Sequence, residues 1–184
     1  MTSYKKSLNV LDLLAVVTEL TELRGSIIDK VYTMGNSLLL RFRRGPEKYF
    51  VIANSHRFGL TGYVLEHGAE GVTMLRQFIE NARLKDVNVL NFDRIIRLTF
   101  DSGSLIIELL EPWNAIYVDN NNIIRWVLRT YRGRDRVISN GLEYKPPPQG
   151  FTRPTDDYDN VVNTLRNYDT VGRAIARGLG LGSE

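Results

Sequence analysis

An aspartate and an arginine stand side by side at Asp93-Arg94, at the mouth of the run Ile95-Ile96-Arg97-Leu98-Thr99-Phe100. β-Branched and aromatic residues recur across 91–100, and Asp101-Ser102-Gly103 closes the run as a turn would, so the spacing predicts a strand. Side chains alternate across a strand, which puts Arg94 on one face with Ile96, Leu98 and Phe100, and Asp93 on the other with Ile95, Arg97 and Thr99. If the Leu98 and Phe100 face is core, Arg94 enters at its edge, partly desolvated, and needs an acceptor. It is then either a structural clasp or a guanidinium held for a ligand. Spacing alone favours the clasp, because ion pairs of purely structural use are common.

A second basic feature is the run Arg125, Arg129, Arg132, Arg134 and Arg136, opposed within it only by Asp135. The planar fork of arginine suits phosphate, so the run points to nucleic acid, with a solvated strand-and-loop face as the alternative. Other chemistry finds little support. The chain has no cysteine, which excludes disulfides, thiolate catalysis and cysteine-bound zinc. With only two histidines, His56 and His67, a multi-histidine metal site is excluded and a Ser-His-Asp triad has few ways to form. Neither a phosphate-cradling glycine loop with its lysine nor a serine nucleophile elbow occurs. Glu108 and Glu111 give no reason to converge on one substrate, and Asp156, Asp157 and Asp159 read as charges at a helix start rather than as a cation site. The expectation is a binding module, with no catalytic residue, metal or cofactor.

At 184 residues, 43% hydrophobic and 24% charged, the chain is expected to be one domain, or one domain with a fragment of a second. No apolar run approaches the roughly 18 residues of a membrane span. After Lys5 and Lys6 the sequence meets Asn9 and Asp12 too soon for a signal segment, so a cytoplasmic protein without membrane contact is expected.

The elements that must position these residues follow from periodicity. Leu13, Val16, Val17, Leu20 and Leu23 predict a helix over 8–24, capped by Asn9 and stopped at Gly25, with Asp12 in its first turn against the positive end of the helix dipole. Strands are predicted over 26–34, 37–43 and 48–53, and a further one within 54–64. A second helix is predicted over 72–84, then strands over 87–90, 94–100, 104–110, 115–118 and 123–129. The fold class is therefore α+β: two similar halves, each a helix followed by an antiparallel meander, packed as a sandwich. Pro146-Pro147-Pro148 ends the compact unit, giving domains at 1–150 and 151–184. The second is a helical extension with helices around Val161 to Leu165 and after Thr170. It ends in Gly178-Leu179-Gly180-Leu181-Gly182, which reads either as the turn of a truncated helix-hairpin-helix or as a tail.

Several of these segments, in order, resemble the NFACT N-terminal domain, the family of fibronectin-binding protein A and of the RqcH and NEMF ribosome quality-control proteins. The resemblance rests on Leu75-Arg76-Gln77-Phe78-Ile79-Glu80-Asn81-Ala82-Arg83-Leu84 with the Asp93-Arg94 pair opening a strand. It rests also on Leu11-Asp12-Leu13-Leu14, on Ile28-Asp29-Lys30-Val31-Tyr32, on Asn114-Ala115-Ile116-Tyr117-Val118-Asp119, and on Arg134-Asp135-Arg136-Val137 through Pro147, in the archaeal and eukaryotic form. The family's usual glycine before the matched asparagine is Trp113 here.

The resemblance implies a protein that binds tRNA and the large ribosomal subunit obstructed by peptidyl-tRNA, and that supports C-terminal tailing of stalled chains. It implies tRNA-binding roles for Asp12, Asp93 and Arg94, and the strand reading adds the expectation that Arg94 is anchored by one of the two aspartates. Candidate contacts to the RNA backbone are Arg97, Arg129, Arg132, Arg134 and Arg136. The family's fold is similar to the N-terminal domain of formamidopyrimidine-DNA glycosylases, so a DNA-binding domain without catalysis is one rival; position 2 is Thr2, not the proline that glycosylase chemistry needs. A scaffold for protein partners is the other. Oligomeric state is left open.

Overall fold

A computed structural model describes residues 7–62, 68–148, 153–154 and 156–181. The expected end of the fourth strand at 63–64, Thr2, His67, Gly182 and the expected boundary between 150 and 151 lie outside the described residues.

Helix α1 (Val10–Leu20) starts where Asn9 caps it, and a 3₁₀ turn (Thr21–Leu23) carries it towards Gly25. Strands β1 (Ile27–Met34), β2 (Ser37–Arg44), β3 (Glu47–Ala53) and β4 (Phe58–Leu60) form an antiparallel meander in sequence order. Helix α2 (Thr73–Ile79) leads into a second meander of β5 (Leu84–Val89), β6 (Ile95–Phe100), β7 (Ser104–Glu108), β8 (Asn114–Val118) and β9 (Ile124–Val127). A short hairpin, β10 (Tyr131–Arg132) with β11 (Val137–Ile138), follows. The helices α3 (Tyr158–Arg166) and α4 (Val171–Arg173), the latter continued by a π-helical turn (Ala174–Gly178), form the C-terminal segment. It touches α1 through Asn9 Nδ2, which donates to the Leu181 carbonyl at 3.3 Å.

One apolar core lies between the two sheets and the first two helices. Ile28, Val31, Leu40, Phe42 and Val51 face Val87, Ile96, Leu98, Phe100, Leu105, Ile107 and Tyr117, with Leu13, Leu20, Leu75 and Ile79 closing it. The sheets are stitched where β1 and β5 begin: Ile28 N donates to the Ala82 carbonyl and Leu84 N to the Ser26 carbonyl. At the other end α1 approaches β4 closely, because a Cβ on Gly59, whose φ is +149°, would lie 3.2 Å from Val16. A smaller core of Ile95, Ile106, Ile116, Val118, Ile124, Ile138 and Tyr144 covers the opposite face of the second sheet.

Two expected boundaries are corrected. The second helix ends at Ile79, not near 84, because Asn81 turns left-handed at φ +70° and 82–84 pair with β1. The strand through Arg97 begins at Ile95, because 90–93 form the turn from β5: Asn91 and Phe92 take φ of +53° and +54°, and Asp93 N donates to the Leu90 carbonyl.

Candidate nucleic-acid interface

The Asp93–Arg94 pair sits at the end of that turn. An aromatic residue in the left-handed region is strained, so the turn is held by its surroundings. Asp93 Oδ1 accepts the Arg94 backbone N–H at 2.6 Å, and the Arg94 carbonyl accepts Leu109 N–H at 2.8 Å. The backbone of Arg94 is therefore fixed on both sides. Its side chain is partly exposed, and among the described residues its guanidinium makes no hydrogen bond or ion pair with Asp93, Asp12 or any other group. A clasp would show such a partner. What the turn presents is a fixed backbone with an uncommitted fork.

Asp12 lies in the first turn of α1 and closes a capping box: its carboxylate accepts Asn9 N–H at 2.7 Å, while Asn9 Oδ1 accepts Asp12 N–H at 2.9 Å. The cap suggested by the sequence is present, and it is reason enough for an aspartate at this position.

The arginine run divides by partner. Arg125 is paired with Asp119, whose carboxyl is held below the ordinary range by the Ile123 backbone N–H and by Arg125. Arg129 is fixed at both ends. Asn114, 4% exposed, donates to its carbonyl at 2.8 Å and accepts its N–H at 3.1 Å, and Asn36 accepts from its Nη2 at 2.8 Å. The Arg129 guanidinium lies 5.7 Å from the centre of the Trp113 ring. Arg136 grips Glu108 with both Nη1 and Nη2 at 2.7 Å, and Tyr144 adds a hydroxyl donor at 2.8 Å. Burial opposes the charge on Arg136, but the Glu108 carboxylate outweighs it and raises the Arg136 pKa. Arg132 and Arg134, at the β10–β11 turn, are exposed and have no side-chain partner among the described residues. Arg97 lies on the outer face of β6, with Nη2 3.3 Å from Asn122 Oδ1 and a buried Nε that meets no acceptor.

Five of the proposed contacts thus differ in what they can offer a phosphate. Arg94, Arg132 and Arg134 have uncommitted forks, Arg129 has part of one, and the fork of Arg136 is spent on Glu108. A cleft of about 220 Å³ opens beside Glu108, Glu111, Arg129, Tyr131, Asp135 and Pro147. Sequence reasoning missed the Glu108–Arg136 pair. The signal was there: Glu108 interrupts the apolar run Leu105-Ile106-Ile107-Glu108-Leu109-Leu110, and a carboxylate so buried requires a cation. No group of three or more histidine, aspartate or glutamate side chains able to hold a metal occurs among the described residues, and no described helix is long and apolar enough to cross a membrane.

The family described as NFACT N-terminal and middle domains matches residues 9–184. The chain is 28% identical over 180 residues to the archaeal Rqc2 homolog aRqcH of Methanocaldococcus jannaschii, covering 89% of this chain and 27% of that protein. It is 27% identical over 193 residues to ribosome quality control complex subunit 2 of Schizosaccharomyces pombe, covering 96% and 18%. The chain therefore spans only about a quarter of these relatives' length or less. Among solved structures, the N-terminal part of the fibronectin/fibrinogen-binding protein of Streptococcus suis matches with a TM-score of 0.83 at 19% identity, over 96% of this chain and 76% of that one. The N-terminal domain of the fibronectin-binding protein PavA of Streptococcus pneumoniae matches with a TM-score of 0.75 at 21% identity, over 88% and 69%. At such identities the likeness shows the fold alone: α+β, with antiparallel sheets.

Proposed function

The chain belongs to the NFACT N-terminal family, and from that premise we propose that it is the tRNA- and large-subunit-facing module of a cytoplasmic ribosome quality-control factor acting on stalled peptidyl-tRNA complexes. It works by binding, without catalysis, and serves C-terminal tailing of the nascent chain as one part of a longer machine. The relatives' names, which place them in ribosome quality control, support the setting. The observation that carries the site is the state of Arg94: fixed through its backbone on both sides, with its guanidinium uncommitted. A fork of this kind, carried on a fixed backbone, gains a phosphate or a base edge without first surrendering a protein partner. Arg132 and Arg134 add uncommitted charge of the same sign on the β10–β11 hairpin. Asp93, already an acceptor for the Arg94 N–H, retains a second carboxylate oxygen for an RNA hydroxyl or amine.

The same reading takes the chain as two similar halves with a likeness to the N-terminal domain of formamidopyrimidine-DNA glycosylases; its support is the repeated order of helix then antiparallel meander.

The test is tRNA binding across a salt series for the wild type and for Asp93→Ala/Arg94→Ala, with circular dichroism to check folding. Phosphate contacts make log K fall linearly with log salt. A folded double variant that loses binding supports the assignment. Equal binding by both proteins removes Asp93 and Arg94 from the interface.

A further inference from the structure

Residues 90–93 form a tight turn in which Asp93 N–H donates to the Leu90 carbonyl at 3.0 Å. Both central residues, Asn91 and Phe92, have positive φ, +53° and +54°. That is the type I′ pattern, whose second central position favours glycine. Asparagine tolerates a positive φ, whereas phenylalanine is strained there. Packing does not supply the reason for the ring. Leu90, two residues earlier, anchors the turn on the smaller core, while Phe92 stays partly exposed and belongs to neither core. Among the described residues Phe92 makes no ring stack and no cation–π contact, with Arg94 or any other arginine. A strained backbone thus presents an unstacked aromatic ring two residues from the uncommitted fork of Arg94.

We propose that Phe92 is a stacking platform for an unpaired base of RNA, beside the phosphate that Arg94 receives. Stacking on aromatic rings is how proteins grip single-stranded and loop RNA, and it needs a ring that is not already stacked within the protein. Two residues span at most about 7 Å of chain, the scale of one nucleotide, so one turn can receive base and phosphate together. Every base has a π face, so Phe92 selects an unpaired base over a duplex rather than one base over another. The inference rests on the RNA-binding reading of Asp93 and Arg94, and adds the kind of RNA the turn takes: an unpaired loop, not a helical stem.

The probes are bulk tRNA, a single-stranded RNA oligonucleotide and a blunt duplex of the same sequence. Phe92→Gly removes the ring and installs the residue the turn favours, so its urea midpoint is expected to equal or exceed that of the wild type. It is expected to bind tRNA and the single strand about tenfold more weakly, the loss of one stacked base. The salt slope should not change, because no charge is lost, and duplex binding should stay as it was. Phe92→Trp keeps a π face and is expected to bind as the wild type does. Phe92→Leu keeps an apolar side chain without one and is expected to bind as weakly as Phe92→Gly. A lower urea midpoint in Phe92→Gly would mean that the ring serves packing, and overturns the inference. Wild-type affinity in Phe92→Gly overturns it too; if Asp93→Ala/Arg94→Ala still loses binding, the RNA reading stands without the stack. Wild-type affinity in Phe92→Leu replaces stacking by a plain apolar contact and likewise overturns it. If the wild type binds no tRNA, both readings fail.

Discussion

Arg136 and Glu108 lie 28 residues apart and meet through two hydrogen bonds of 2.7 Å, with Glu108 only 1% exposed. The pair ties the β10–β11 hairpin to the middle of the second sheet, so the exposed Arg132 and Arg134 stand on a fixed base. Removing one partner leaves a buried charge unmatched. Arg136→Ala is expected to cost about 3 to 5 kcal/mol in urea unfolding, whereas Glu108→Leu/Arg136→Met, which removes both charges, recovers most of that loss. A double variant as unstable as the single one would show that the hairpin depends on more than charge pairing.

Tyr144 completes this cluster and gives it an alkaline limit. Burial and the adjacent Glu108 charge push its hydroxyl pKa well up. A raised pKa means the folded state keeps its proton when the unfolded chain, near its ordinary value of about 10, has lost it. The associated stability is complete below pH 10 and declines as pH rises above it. Urea midpoints at pH 8 and pH 11 should therefore differ more in the wild type than in Tyr144→Phe, which has nothing there to titrate.

Arg132 and Arg134 make the opposite prediction from Arg136. Exposed and without side-chain partners among the described residues, each is expected to change stability by less than about 0.5 kcal/mol on substitution by alanine. If each arginine meets a phosphate, its alanine variant should lower the salt slope of tRNA binding by about 0.7 to 0.9. Slopes that match the wild type in both variants would take the hairpin out of the RNA interface.

These contrasts also mark where sequence reading succeeds. The Asn9 cap, the α1 stripe and the strands of both meanders follow from short-range periodicity, and the structure has them close to where the pattern puts them. The left-handed turn at Asn91 and Phe92 was not legible, because Phe92 belongs to a residue type that rarely adopts it. The early end of α2 was hidden for another reason: Ala82 and Leu84 continue an apolar stripe but are drawn into pairing with β1, a contact more than fifty residues away in the chain. The arginine run was visible as charge, while its division into committed and uncommitted forks depends on Asp119 across the β8–β9 turn and on Glu108 and Asn36, which only the fold brings near.

Asp12 needs a substitution that separates its two roles. As the third residue of α1, closing the capping box, it holds the Asn9 N–H, so Asp12→Ala should cost about 1 kcal/mol whether or not RNA is bound. A loss of tRNA affinity in that variant would therefore prove little. Glutamate is the preferred partner in such a box, so Asp12→Glu should keep stability within about 0.5 kcal/mol while moving the carboxylate by one methylene. If Asp12 contacts tRNA, Asp12→Glu binds more weakly than wild type at equal stability. If affinity is unchanged in Asp12→Glu but falls in Asp12→Ala in step with unfolding, Asp12 is a helix cap and leaves the RNA site to Arg94.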